Sequence, residues 1–327
     1  MRRQRRDFLE AASAMLVGCA YAARAQAQAP PIVGFVRSSS IDSIPNLVAA
    51  FRRGLEEQGF VEGRNIAIEF RSADDHFERL PAIVADLIRK RVAVLVANGE
   101  AAKVAKAATQ TVPIVFAVGA DPVRDNLVAS FNRPGENATG VSFFNSNLGA
   151  KKLELVRYFL SGNGIVGVLE TPDSWASRAE REDAVRAAEA LGQRTTVLRV
   201  RTESDFDAAF ATLGRDRVGA LLVTGDALFL SRRRALVALA ARYSIPTVYS
   251  ESLIVESGGL MSYGASITDA YRQVGVYTGR ILKGEKPATL PVVQPTTFDL
   301  VINAKTAKAL GVSIPQSLLL LANQVIQ

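Results

Sequence analysis

The sequence predicts an α/β protein built from two similar doubly wound parallel-sheet lobes joined by a hinge. Three observations carry this reading. Short apolar runs rich in Val and Ile recur without strict alternation, the pattern of strands buried on both faces of a parallel sheet. Amphipathic helical segments separate them, and a regular β-α-β-α order implies parallel sheets covered by helices. The order strand, helix, strand, helix, strand, helix, strand runs over residues 32–120 and again over 164–250. The 327 residues hold two such units at roughly 150 residues per domain.

The predicted strands of the first half are Ile32–Val36, Ile66–Phe70, Val92–Ala97 and Pro113–Val118. Those of the second are Ile165–Leu169, Thr196–Val200, Val218–Val223 and Ile245–Tyr249. Leu47, Phe51 and Leu55 make a helical stripe, with Pro45 near its start and Gly59 near its stop. Leu80, Val84, Leu87 and Ile88 make a second, and Val185, Ala188 and Leu191, closed by Gly192, a third. The turn-rich run Arg133-Pro134-Gly135-Glu136-Asn137-Ala138-Thr139-Gly140-Val141 reads as a linker between the halves.

The first 25 residues read as an export signal. Arg2, Arg3, Arg5 and Arg6 precede an apolar run, Ala11–Ala23, too short to span a bilayer. Arg5-Arg6-Asp7-Phe8-Leu9 fits the twin-arginine pattern, and Ala23-Arg24-Ala25 offers a cut after Ala25. A lipoprotein-like run, Leu16-Val17-Gly18-Cys19, is the competing reading, with Cys19 acylated. The net charge is +7, of which the signal supplies +3, so nucleic-acid binding loses its main support. One Cys permits no intrachain disulfide, and one His permits no His-pair metal site. The expectation is a soluble periplasmic monomer without metal or cofactor.

Catalytic signatures are missing. There is no G-x-G-x-x-G after a strand, no Walker loop, no G-x-S-x-G elbow and no HExxH. The lone His76 lies in a polar stretch and reads as a solvated loop residue. The strand ends carry hydrogen-bonding loops instead: Ser38-Ser39-Ser40, Asn98-Gly99-Glu100, Asp121-Pro122, Thr171-Pro172-Asp173-Ser174, Thr224-Gly225-Asp226 and Ser250-Glu251. Ligands of doubly wound sheets bind beyond the carboxyl ends of strands, here in the cleft between lobes. The candidates for that cleft are Ser38, Ser39, Ser40, Asn98, Asp121, Phe143, Asn145, Thr171, Asp173, Ser174, Thr224, Asp226, Ser250 and Glu251. A ligand carboxylate is expected on Ser38–Ser40, next to a helix start. Asp226 or Glu251 would take an ammonium group, and Phe143 or Trp175 an apolar body. Helix capping competes for Asp226, and more strongly for Asp121, which Pro122 follows.

Several motifs together resemble one bacterial family. They are Asp121-Pro122-Val123 through Leu127-Val128, Arg133-Pro134-Gly135, and Gly258-Gly259-Leu260-Met261-Ser262-Tyr263-Gly264. Asp269-x-Tyr271-Arg272-Gln273, Gly279-Arg280-Ile281-Leu282-Lys283-Gly284 and Asn303-x-Lys305-Thr306-Ala307-x-x-Leu310-Gly311 complete the set. These resemble substrate-binding proteins of ABC transporters, in the family that includes tryptophan-binding members. The resemblance implies the type I periplasmic-binding-protein fold and capture of a small organic ligand, an amino acid or other carboxylate, for a membrane permease. It also implies three crossings between lobes, expected near Val141–Asn145, Ser250–Leu253 and Met261–Gly264. The N-terminal lobe would then comprise 30–142, 252–262 and the C-terminal segment, and the C-terminal lobe 143–251 and 263–290. A ligand sensor of the same fold and a periplasmic enzyme are the alternatives. Turnover of a ligand would mark the enzyme, and adjacent permease and ATPase genes the transporter.

Overall fold

The computed structural model describes residues 29–143, 147–160 and 162–327. The signal residues Arg5, Arg6, Cys19 and Ala25, and the cleft candidate Asn145, lie outside them. Residues Ile32–Gln327 form one compact unit. It holds two sheets.

The first sheet is built from β1 (Ile32–Arg37), α1 (Pro45–Glu57), β2 (Ala67–Ser72), α2 (Leu80–Arg89), β3 (Val94–Asn98), α3 (Glu100–Ala108), β4 (Ile114–Val118) and β5 (Ala138–Ser142). Its strand order is β2-β1-β3-β4-β5, parallel throughout. Pro45 and Pro81 open α1 and α2, where a missing N–H costs nothing. Leu47, Phe51 and Leu55 are buried as their spacing predicts, and so are Leu80, Val84 and Leu87.

The second sheet begins with α4 (Gly149–Arg157), β6 (Ile165–Glu170), α5 (Trp175–Ala190), β7 (Thr195–Arg199), α6 (Phe206–Arg215) and β8 (Val218–Val223). It continues with α7 (Ala227–Ser231), α8 (Arg233–Arg242), β9 (Thr247–Tyr249), α9 (Ser252–Glu256) and β10 (Met261–Gly264). After α10 (Ile267–Leu282) come β11 (Asp299–Asn303), α11 (Ala304–Ala309), α12 (Gln316–Leu321) and β12 (Gln324–Ile326). The strand order is β12-β11-β10-β9-β8-β6-β7, parallel except where β10 meets β11.

Three expectations need correction. The run ending at Val141 is not only a linker, because Ala138–Ser142 forms the fully buried strand β5. Its composition hid it: Gly140 is needed there because a Cβ would lie 2.1 Å from the Phe116 carbonyl oxygen of β4. The stripe of α5 is also different. Leu191 is 56% exposed, and the buried face is Trp175, Ser177, Glu180, Ala184 and Ala188, with small residues facing α4.

The lobe assignment of the later segments is reversed as well. Residues 252–264 supply α9 and β10 to the second sheet, and the C-terminal strands β11 and β12 extend it. Helix α10 packs on α1 of the first lobe. The reason is contact at the backbone: a Cβ on Gly54 would lie 1.9 Å from Arg272 O, and one on Gly275 2.1 Å from Phe51 O. The chain therefore crosses between lobes after Ser142, between Gly264 and Ile267, and between Val293, which bridges to Val141, and Asp299. Ser250–Leu253 stays within the second lobe.

Among the described residues, no helix is long and apolar enough to cross a membrane.

Candidate functional site

The carboxyl ends of β1, β3 and β4 face those of β6, β8 and β9, and a cavity of about 60 Å³ lies between them. Arg37, Asn98, Glu100, Phe143 and Tyr271 line it from the first lobe, and Ser174, Trp175, Asp226 and Glu251 from the second.

The basic group is Arg37, the last residue of β1 and 1% exposed. Its terminal nitrogens make only long contacts, 3.4 Å to Ser40 O and 3.5 Å to Ala227 O. Its Nε has no hydrogen-bond partner. A buried guanidinium with an unused donor is costly, and an anion in the cavity would relieve it.

The acidic side is Asp226, at the N-cap of α7. Its carboxylate accepts a hydrogen bond of 2.8 Å from the Leu228 amide. Burial raises its pKa, opposed by that amide and by the positive charge of Arg37. The side chain faces the confined cavity rather than bulk water, which is why it feels burial although part of its surface is accessible. Asp226 thus caps a helix and faces the site. Glu251, buried, lines the same wall.

Aromatic rings close the sides. Trp175 is 5% exposed and carries the Lys103 ammonium 3.9 Å from its ring centroid. Tyr271 of α10 accepts a hydrogen bond of 2.9 Å from Asn98 Nδ2, and Asn98 Oδ1 remains without a partner.

The lobes touch on two flanks of this cavity. On one, Glu100 Oε1 accepts from the Trp175 amide at 2.7 Å. On the other, Ser43 Oγ lies 3.0 Å from Ser231 Oγ, and Arg233 donates to Ser43 O at 2.8 Å. Arg232 pairs there with Asp75 at 3.0 Å. Burial pushes the Glu100 carboxyl up to about 7, against the lowering pull of the Trp175 amide; Asp226 adds to the rise, while Lys103 and Arg178 oppose it.

Of the residues expected in the cleft, Ser38, Asn98, Phe143, Ser174, Asp226 and Glu251 line the cavity. Ser39, Ser40, Thr171, Thr224 and Ser250 do not. The Ser40 carbonyl accepts from Ser43 Oγ, so this loop turns back on itself instead of opening a helix toward a ligand. Thr224 Oγ1 donates to Leu169 O within the second lobe. Asp173 is exposed and pairs with Arg201 at 3.0 Å. Asp121 caps its own turn by accepting from Val123 N and Arg124 N, and lines a separate polar recess. His76 is exposed, 3.1 Å from Glu78. Arg37 and Tyr271 escaped the sequence reading. Arg37 falls between the predicted strand Ile32–Val36 and the serine loop and belongs to neither, and Tyr271 reaches the cleft only because α10 returns to the first lobe.

Two parallel-sheet lobes closing on a small cavity with a cation, acids and aromatic walls define a two-lobed receptor for a small polar organic molecule. The chain matches the ABC transporter substrate binding protein family over residues 32–326, and it belongs to that family. It is 26% identical over 269 residues to a tyrosine-binding protein of Clostridioides difficile, covering 82% of this chain and 77% of that one. A Streptococcus pneumonia ABC domain in complex with L-Trp is 27% identical, with a TM-score of 0.81 over 91% of this chain and 100% of that one. The ligand-free, open structure of a Clostridium difficile substrate binding protein with adhesive properties is 25% identical, with a TM-score of 0.61 over 91% and 99%. Identity is nearly equal in the last two. The better fit to the ligand-bound one agrees with the lobe-to-lobe contacts seen here.

Proposed function

We propose that the protein captures an amino acid with an apolar or aromatic side chain between its lobes and delivers it to an ABC permease. One observation carries the ligand class. A buried guanidinium with an unused Nε donor, Arg37, shares a small cavity with the carboxylates of Asp226 and Glu251. That pairing suits a zwitterion: Arg37 takes the ligand carboxylate and Asp226 the ammonium, as charge-assisted hydrogen bonds. Phe143, Trp175 and Tyr271 offer apolar walls for the side chain. The tyrosine-binding and L-Trp-bound relatives support the same class. The protein acts outside the cytoplasm as a monomer, exported by the twin-arginine signal and cut after Ala25.

Calorimetry on the mature chain tests this. L-tryptophan, L-tyrosine or another apolar amino acid should bind, and tryptamine and indole-3-propionate, each lacking one charged group, should bind at least about ten-fold more weakly. Equal binding of tryptamine and L-tryptophan would remove Arg37 from its role. Heat released by none of the amino acids would refute the ligand class.

A further inference from the structure

Beneath the acidic wall lies an ion pair that touches no part of the cavity. Lys152 of α4 and Glu180 of α5 are both fully buried and hydrogen-bonded to each other. Glu180 Oε2 accepts from the Gly225 amide at 2.8 Å. Ser250 Oγ accepts from Lys152 Nζ at 2.5 Å and donates to Glu180 Oε1 at 3.3 Å. Gly225 and Ser250 directly precede Asp226 and Glu251, the two acids that face the cavity.

One turn earlier on α5, Ser177 Oγ accepts from Thr171 N at 2.9 Å and donates to Thr224 Oγ1 at 2.6 Å. The buried face of α5 thus carries two polar residues, Ser177 and Glu180, among its apolar ones, and their hydrogen bonds reach the residues that follow β6, β8 and β9. A buried ion pair is a weak stabiliser, since removing two charges from water offsets their attraction. Its placement here fits a different task.

We infer that Lys152 and Glu180 are positioning residues that fix the Gly225 backbone amide and the Ser250 hydroxyl, and so aim Asp226 and Glu251, the residues that follow, at the ligand. This rests on the reading of those acids as ligand groups.

Two double variants of the full mature chain separate positioning from folding. Lys152→Met with Glu180→Gln removes the charges but keeps an acceptor for the Gly225 amide. Lys152→Met with Glu180→Met removes both. The first variant keeps the Gly225 amide paired and should melt near the parent, whereas the second leaves that buried amide without its acceptor and should melt a few degrees lower while still folding. Amide exchange by NMR, without ligand, should quicken at Gly225 about ten-fold or more in the second variant only, with Leu222 of β8 as the unchanged reference. L-tryptophan affinity should fall about ten-fold in the second variant and less than about three-fold in the first. Unchanged Gly225 exchange in the second variant would overturn the inference, as would quickened exchange with unchanged affinity. A parent chain that binds no amino acid would refute the ligand class instead, and the exchange result would still decide whether the pair holds Gly225.

Discussion

Glu100 of one lobe accepts a hydrogen bond of 2.7 Å from the backbone amide of Trp175 in the other. The contact joins the start of α3 to the start of α5, so it exists only while the lobes are together. Glu100 is buried where the lobes meet, and that burial lifts its carboxyl from the ordinary value near 4.5 to about 7, against the lowering pull of the amide.

A pH dependence of closure follows. The acid is harder to ionise when closed than when solvated, so protons favour closure. That contribution is complete below about pH 4.5 and is lost as the pH rises through about 7. Binding of an apolar amino acid should be about ten-fold weaker at pH 8 than at pH 6. Glu100→Gln should flatten that profile and hold affinity near the low-pH level. Calorimetry at four pH values checks both, and an unchanged slope in the variant would exclude Glu100 as its source.

Asp226 has two roles, and they can be separated. Asp226→Asn keeps an oxygen for the Leu228 amide and loses the charge. Affinity for a zwitterionic ligand should drop about ten-fold or more, with little change in melting temperature. Asp226→Ala should show the same loss of affinity plus about 1 kcal/mol of stability from the missing cap. If only stability falls, Asp226 is a cap and nothing else.

Ser43 and Ser231 offer a lock across the lobes. Their hydroxyls are 3.0 Å apart on opposite sides of the cleft. With Ser43→Cys and Ser231→Cys, oxidation in the presence of saturating ligand should link the lobes. The exchange of bound ligand, followed with a radiolabel, should then slow about ten-fold or more, because release requires opening. Reduction should restore it. Unaltered exchange in the oxidised protein would mean the ligand leaves without lobe separation.

Gly275→Ala tests the seat of α10. The added methyl would lie 2.1 Å from Phe51 O, so the two helices must move apart. Overpacking of this kind costs about 1–3 kcal/mol, and the melting midpoint should fall by a few degrees. A midpoint equal to the parent's would show that the crossing is softer than its geometry implies.

All eight strands read from apolar runs are present, because strands such as Val218–Val223, buried on both faces, leave a continuous signal. Ala138–Ser142 left none: its short, small and polar side chains are buried beside β4 at a spacing that only glycine permits at position 140. The return of α10 to the first lobe was illegible for a different reason. The helix itself is well marked, with Ser266 at its cap, but the partner it chooses is decided by Gly54 and Gly275, two residues far apart in sequence. The site was half legible. Asp226 and Glu251 follow strands and could be found by position. Arg37 could not, because it falls between a predicted strand and a predicted loop, and part of its surroundings, the Ala227 carbonyl, comes from the opposing lobe.

The same return of α10 sets an order of assembly during synthesis. The first lobe's strands are all made once Ser142 leaves the ribosome, yet the groove over Phe51 and Gly54 stays bare until residues 267–282 emerge. The usual sequence, in which an N-terminal domain folds before its successor, is closed to this chain. Its first lobe is finished only when α10 emerges, shortly before β11 and β12 finish the second, so a nascent chain stalled before α10 would display an open apolar face, visible to chaperones and proteases until translation is nearly done.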